Sequence, residues 1–409
     1  MSEIKNINTE LLVVGGGIGG LAVAYALSKI RINVTVIEQA SKFSEIGAGI
    51  QLGPNSYKMF ERLGILNDVT KLAAFPDFLE MKDSVTAESL VKMPVLEDFQ
   101  KLFGYKYAVI YRADLHKILY EKCQKSEYVN LFVDTKAHSI KQNDNEVIVS
   151  CENGYEFKSQ ALVAADGLWS KVREMLVSDG APRPAGHVAY RAVLNENEFP
   201  KELKTNSMTI WAGEKTHLVH YPLRNGKLFN LVAVFHSNKF SEGWNDYGDP
   251  NELKESFKDK CPQVKMLLDK IEDWRMWVLN DREPIDNWVT GRIALLGDAA
   301  HPMLQYLAQG ANMAIEDSVC LADMIVNENK NFSSAFQRYC QARFLRTTRV
   351  QVTARLYGEI YHASGATRKM RNAEISSWSV EKHFQGMSWL YGVSPTWRDD
   401  GIVNELGEN

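Results

Sequence analysis

Cysteine is scarce and never clustered: Cys123, Cys151, Cys261, Cys320 and Cys340 are spread over 409 residues without a C-x-x-C spacing. An odd, scattered set excludes a disulfide framework and a cysteine-based zinc site, and it fits reduced thiols in the cytoplasm. It also excludes the disulfide reductases, which need a redox-active cysteine pair. No metal is expected. Long basic runs with interleaved aromatics are missing and the formal net charge is −4, so nucleic acid is not an expected partner. The opening MSEIKNINTE lacks a basic region leading into an apolar core, unlike a signal peptide, which adds to the cytoplasmic expectation. The one long apolar stretch, Leu11 to Ile30, holds five glycines within six positions and has no flanking basic cluster. That composition argues against a membrane span.

That same stretch carries a nucleotide signature. Leu11–Val14 reads as a buried strand, Gly15, Gly17 and Gly20 give G-x-G-x-x-G, and LAVAYALS continues as a helix. The first glycine makes the turn, the second lets backbone approach a pyrophosphate, and the third allows close helix-to-strand packing. A second strand, Asn33 to Ile37, ends on Glu38, about twenty residues further on, where a ribose hydroxyl pair would be bound. Arg112 starts a helix with an apolar face of Leu115, Ile118 and Leu119; a cation there opposes the helix dipole and predicts an anionic neighbour.

At 409 residues, two domains or one with a large insertion are expected. Phe75 to Met93 suggests short strands of a separate sheet. Glu146 to Cys151 and Tyr155 to Lys158 form a hairpin about Asn153-Gly154. Ala161 to Ala165 then leads into Asp166 and Gly167, a turn that repeats the opening and places this strand beside it in a parallel sheet. From Gly186 to Leu279 alternating segments, with a turn at Asn225-Gly226, predict an inserted antiparallel sheet followed by one helix from Glu252 to Ile271. RIALL returns to the first sheet and delivers Asp298 and His301, and Ala311 to Met324 is helical. Ser333 to Tyr361 reads as one basic amphipathic helix whose Arg343, Arg346, Arg349 and Arg355 form a solvated or inter-subunit face. Trp378, Trp389 and Trp397 of the tail are expected to pack on the body or a partner.

Asp298, at a strand end, can accept hydrogen bonds from a polyol, while backbone amides at Gly310, Ala311 and Asn312 can stabilise negative charge at a helix N-terminus. A reduced flavin needs both kinds of contact. No second G-x-G-x-x-G marks a separate nicotinamide domain.

The motifs GGGIGG, ADGLWSKVR and GDAAHPMLQYLAQGANMAIED resemble those of the single-component flavin aromatic hydroxylases, the family of 4-hydroxybenzoate, salicylate and 6-hydroxynicotinate hydroxylases. The resemblance implies an α/β fold like that of 4-hydroxybenzoate hydroxylase: a Rossmann-like FAD-binding domain (1–75, 103–180 and 283–332), an antiparallel β-sheet substrate domain inserted into it (76–102 and 181–282) and a C-terminal helical region (333–409). It implies FAD, with Gly15, Gly17, Gly20 and Arg112 near the pyrophosphate, Glu38 on the adenosine ribose, Asp298 on the ribityl chain, and Asp166 in the turn shared with NADH, or NADPH, as co-substrate. The implied cycle is reduction of FAD, reaction with O2 to a flavin C4a-hydroperoxide, and oxygen transfer to a phenolic aromatic acid. THLVHYPLRNGKLFNLVAVFH, WRMWVLNDREP and HPMLQYLAQGA resemble the family members that convert 3-hydroxybenzoate to 2,5-dihydroxybenzoate. The decarboxylating hydroxylases of the salicylate and 6-hydroxynicotinate type are the alternative within the family, and a flavoprotein oxidase or flavin-fold binding module the alternative outside it. Several relatives carry proline where Gln305 stands. A homodimer is compatible with the chain.

Electrophilic hydroxylation is faster on a phenolate, so the site needs a group that removes the phenolic proton, and histidine suits this near neutral pH. By resemblance this group is His217, with Tyr221 and Gln305 holding substrate. On a strand His217 and Tyr221 share a face and His220 points the other way. Asp77, Tyr107 and His138 are further pocket residues. His301, before a proline, is expected to fix its turn; Arg191 to bind a carboxylate or form an internal salt bridge; Trp274 and Trp277 to lie in the core.

Overall fold

The computed structural model describes residues 5–45, 47–238, 246–271 and 273–392. The apolar run Leu11–Val14, at most 7% exposed, ends the strand Lys5–Val14, which lies between Tyr155–Ala164 and Val34–Ile37, parallel to both. Val129–Phe132 extends this sheet beyond Val34–Ile37, and Ile293–Leu295 joins it beside Tyr155–Ala164, again in parallel. Strands so apolar on both faces need cover on both sides. The helices Ile18–Lys29 and Gly310–Asn327 belong to the same buried cluster as these strands.

The second sheet has the order Asp246–Tyr247, Arg275–Asp281, Arg183–Asn195, Leu228–His236, Thr216–Leu223, Ser207–Gly213, Phe78–Asp83, Ser89–Pro94. All its pairs are antiparallel except Ser207–Gly213 with Phe78–Asp83. It is thus the inserted sheet, and 78–94 contributes to it as read from sequence. Asn225 (φ 55) and Gly226 (φ 84) make the tight turn between Thr216–Leu223 and Leu228–His236. The two faces of this sheet bury different partners. Leu218, Leu231 and Phe235 pack with Phe257, Val264 and Leu267 on the outer side, whereas Val219, Tyr221, Val232 and Val234 share a cluster with Leu304, Tyr306, Tyr361 and Tyr391 on the inner side. Strand alternation therefore aims His217 and Tyr221 inward and leaves His220 beside Phe199 and Trp211.

Two expectations need correction. The segment 252–271 is not one helix but two, Pro250–Ser256 and Pro262–Leu268. Pro262 lacks an N–H and cannot continue a helix, but it suits the first turn of a new one. The helix Phe332–Tyr361 forms as read, yet Arg343 and Arg346 are 0% and 4% exposed. They are buried ion-pair partners, not a solvated face. Arg349 is exposed and lies 4.3 Å over the Trp389 ring, and Arg355 pairs with Asp281 and Glu283. Helices Gly365–Ser377 and Val380–Tyr391 complete the C-terminal region. Trp389 packs against the inner-face cluster, while Trp397 lies outside the described residues.

Candidate active site

The phosphate turn shows why each glycine stands where it does. Gly15 takes φ +105, and a Cβ on it would lie 2.3 Å from the Ala165 carbonyl oxygen. A Cβ on Gly20 would lie 1.9 Å from the Gly15 carbonyl oxygen. Around Gly17, in contrast, the nearest atom to such a Cβ is Glu45 Oε1 at 3.7 Å, and Gly17 lines a chamber of about 830 Å³. Packing of the chain itself thus demands glycine at 15 and 20 and leaves space at 17. Gly17 is also the N-cap of Ile18–Lys29, with no side chain capping it, so the first N–H groups of that helix are free to bind an anion.

These environments separate two substitutions. Gly20→Ala is expected to lower the stability of the protein by about 1–3 kcal/mol through overpacking. Gly17→Ala should leave stability within about 1 kcal/mol and reduce flavin content. Denaturant melts, together with the ratio of flavin to protein absorbance, check both.

At the end of Val34–Ile37, Glu38 accepts hydrogen bonds from Gly16 N–H at 2.7 Å and Ala40 N–H at 2.8 Å, which fixes its carboxylate beside the turn. Arg112 has the anionic neighbour its position calls for. Its Nε lies 3.0 Å from Glu45 Oε2, and the side chain also lines the chamber. Asp166 lies in the turn between the strand Tyr155–Ala164 and the helix Lys171–Leu176. Its Oδ2 accepts from Lys171 N–H at 3.0 Å and Val172 N–H at 3.4 Å, capping a short helix. The chamber wall at that turn is made by Ala165, Gly167 and Leu168.

At the other end, Asp298 lines the chamber and is exposed there. Burial raises its carboxyl above the ordinary range, opposed by His301 and Arg112. Gly310 and Ala311 line the same space. They open the helix Gly310–Asn327, which again has no side-chain cap. Asn312 is fully buried, its side chain donating to the Gln51 and Ala308 carbonyls at 3.0 and 2.9 Å, and it does not line the chamber. His301 fixes its turn as expected, with Nε2 2.6 Å from Asp317 Oδ2. Two uncapped helix N-termini, an open glycine and the Asp298 carboxylate on one chamber, with Glu38 beside the phosphate turn, fit a dinucleotide with a polyol linker.

His217, Tyr221, Tyr107 and Gln305 come from three separate regions and line this chamber together. His217 is 3% exposed; burial, aided by His187, lowers its pKa to about 3 and keeps it a neutral base. Burial also raises the Tyr221 phenol, so it stays protonated. The Tyr107 hydroxyl donates to Gln51 Oε1. Asp77 and His138 do not line the chamber. The Asp77 backbone pairs with Asn206 and Val95, and His138 is exposed on the strand Ala137–Gln142 of the first sheet.

Arg191 is the main residue that sequence reading left undecided. Its Nη2 donates to Gln305 Oε1, its guanidinium lies 4.9 Å over Trp277, and among the described residues no carboxylate forms an ion pair with it. Burial lowers its pKa to about 10, still far above neutrality. Trp277 therefore lines the site beneath this cation, whereas Trp274 is core as read. A further group was not read from sequence at all: His217 Nδ1 shares a 2.8 Å hydrogen bond with His362 Nε2, and His362 Nδ1 shares one of 3.2 Å with His236 Nε2. His187 stands beside them, with Nδ1 2.7 Å from the Tyr306 hydroxyl.

A dinucleotide sheet and a substrate sheet that enclose one chamber, with a neutral histidine base and a half-buried cation on the substrate side, define a flavin-dependent aromatic hydroxylase. The chain belongs to the FAD binding domain family, which it matches over residues 8–351. It is 43% identical to 3-hydroxybenzoate 6-hydroxylase of Polaromonas naphthalenivorans (strain CJ2) over 382 residues, 93% of this chain and 95% of that one. To 3-hydroxybenzoate 6-hydroxylase 1 of Aquipseudomonas alcaligenes it is 41% identical, covering 94% and 98%. Among solved structures, a salicylate hydroxylase in substrate complex superposes with a TM-score of 0.80 at 24% identity, covering 95% and 96% of the two chains. Among the described residues no helix is long and apolar enough to cross a membrane.

Proposed function

We propose that this protein hydroxylates 3-hydroxybenzoate to 2,5-dihydroxybenzoate with NADH and O2. The observation that carries this is the convergence of His217, Tyr221, Gln305 and Arg191 on the chamber that also holds Asp298 and the phosphate turn. The relatives at 43% and 41% identity support the choice of substrate. FAD, when bound, supplies the reduction by NADH and the activation of oxygen. The protein does the rest. His217 takes the phenolic proton at Nε2, since Nδ1 is held by His362, and the ring becomes an electron-rich phenolate. Tyr221 and Gln305 fix the orientation of the substrate. Arg191, a half-buried cation with no carboxylate partner among the described residues, meets the substrate carboxylate; an unpaired charge shielded from water is costly, so an anionic ligand is favoured there. Closing the ring within an apolar chamber excludes water.

All five cysteines are free and buried, which supports a cytoplasmic setting. Leu345, Val352 and Leu356, 40%, 51% and 57% exposed on the long helix, support a homodimer.

A panel of aromatic acids tests the reading through substrate-stimulated NADH oxidation and product analysis. Stimulation by 3-hydroxybenzoate with 2,5-dihydroxybenzoate as product is expected. Release of CO2 would assign a decarboxylating hydroxylase instead, and NADH oxidation that no phenolic acid stimulates would assign an oxidase.

A further inference from the structure

The proposed reaction leaves a proton on a base that is 3% exposed, and that proton must leave before the next turnover. His217 has one nitrogen directed away from the substrate, Nδ1, and it is bonded to His362 Nε2 at 2.8 Å. His362, itself 7% exposed, is bonded through Nδ1 to His236 Nε2 at 3.2 Å. His236 ends its strand and is exposed. Three imidazoles, from two strands and a helix C-cap, thus form an unbroken hydrogen-bonded line from chamber to surface.

We propose that His362 and His236 conduct the phenolic proton from His217 to solvent. This rests on the phenol-hydroxylating function proposed above. The substrate O–H breaks as His217 Nε2–H forms; His217 passes its Nδ1 proton to His362 Nε2, His362 passes its Nδ1 proton to His236 Nε2, and His236 gives its Nδ1 proton to water. One proton leaves the phenol and one reaches solvent, with each ring ending in its other tautomer. No oxidant is involved. The rings reset when a proton enters at His236 Nδ1 and the line runs in reverse, the His217 Nε2 proton passing to the phenolate oxygen of the product before it leaves.

The surroundings favour conduction over storage. His187 and Tyr306 face the line from one side and Tyr361 packs on His217. Lys215 and Glu359 act on His236, and Lys260 on His362. No carboxylate among the described residues bonds to any of the three imidazoles. Burial holds the rings below the ordinary histidine pKa, so none retains the charge at neutral pH.

The test mixes oxidised holoenzyme with 3-hydroxybenzoate in weak buffer containing an indicator dye, and follows proton release beside the phenolate absorbance. In the wild type the two are expected to rise together. His362→Ala should slow both roughly tenfold or more, and added imidazole, but not an equal concentration of sodium chloride, should restore them. His236→Asn, at the surface, should slow release to a smaller extent, and it serves as the second variant if His362→Ala loses its flavin. Wild-type rates in both variants, or no recovery of His362→Ala with imidazole, would overturn the relay while leaving the hydroxylase reading intact. If the wild-type holoenzyme released no proton and formed no product with any phenolic acid, the hydroxylase reading would fall and the relay with it.

Discussion

His217→Ala is expected to reduce formation of 2,5-dihydroxybenzoate by roughly 10²- to 10⁴-fold, the range that loss of a positioned general base commonly gives. NADH consumption should continue, because His217 sits on the strand Thr216–Leu223 of the second sheet, whereas the phosphate turn belongs to the first. Electrons then reach oxygen without a reactive phenolate to receive it, and hydrogen peroxide replaces the aromatic product. The ratio of 2,5-dihydroxybenzoate to NADH consumed is the measurement, and full coupling in His217→Ala would remove the base from the mechanism. Burial, with His187, lowers the histidine to about 3, so the ring remains an unprotonated acceptor throughout the neutral range. Protonation of His217 should therefore start to limit kcat/KM only as pH falls through about 4 toward 3, far below an ordinary histidine. His217→Gln keeps a polar side chain that cannot accept the proton at neutral pH. It should bind substrate better than His217→Ala and hydroxylate no faster.

The parts of the site legible in sequence are those whose neighbours are local. Gly15, Gly17 and Gly20 lie at the junction where the strand Lys5–Val14 passes directly into the helix Ile18–Lys29, so spacing alone reveals the turn. Glu38 and Asp298 each follow directly on a buried strand, and alternation on one strand separates His217 and Tyr221 from His220. Contacts across the chain are not encoded by spacing. Arg191 meets Gln305 from 114 positions away, and His217 meets His362 from 145. Asp77 was close in sequence to the right sheet, yet its place before the strand Phe78–Asp83 keeps it off the chamber. Asp166 marks its turn correctly, but its carboxylate is used by the N–H groups of the next helix. The arginines of the long helix were misread for the opposite reason: a regular run of cations resembles a solvated face, and only the tertiary fold brings carboxylates to it.

The second large effect is expected at Arg343. Its Nε lies 2.7 Å from Asp317 Oδ1 and its Nη1 2.7 Å from Glu316 Oε2, with all three side chains 0% exposed. Arg346 adds a second cation to Glu316 at 2.7 Å, and Asn55 donates to Glu316 Oε1 at 2.7 Å. Asp317 has no second arginine among the described residues; it also accepts from Gly297 N–H at 3.1 Å and bonds His301 at 2.6 Å. Removing one partner of a buried pair costs about 3–5 kcal/mol, against a typical total of about 5–15 kcal/mol. Arg343→Met, which keeps the volume, is therefore expected to lose much of the denaturant stability. It should lose flavin as well, since Asp317 anchors the Gly297 turn that presents Asp298. The pH dependence identifies the cause. Burial alone would raise both carboxyls, but Arg346 and Arg343 for Glu316, and His301 and Arg343 for Asp317, hold them near about 2. A depressed folded-state pKa contributes stability above the ordinary carboxylate range, about 4, which is lost as pH falls from there toward 2. In Arg343→Met the carboxylates lose the cation that holds them down while burial still raises them, so the stranded charge is relieved by protonation at a higher pH than in the wild type. The stability difference between wild type and variant should accordingly be largest at neutral pH and narrow as the solution is acidified. Asp317→Asn in the Arg343→Met background removes the stranded charge outright and should recover part of the loss at pH 7, whereas a loss due to packing alone would be unchanged by it.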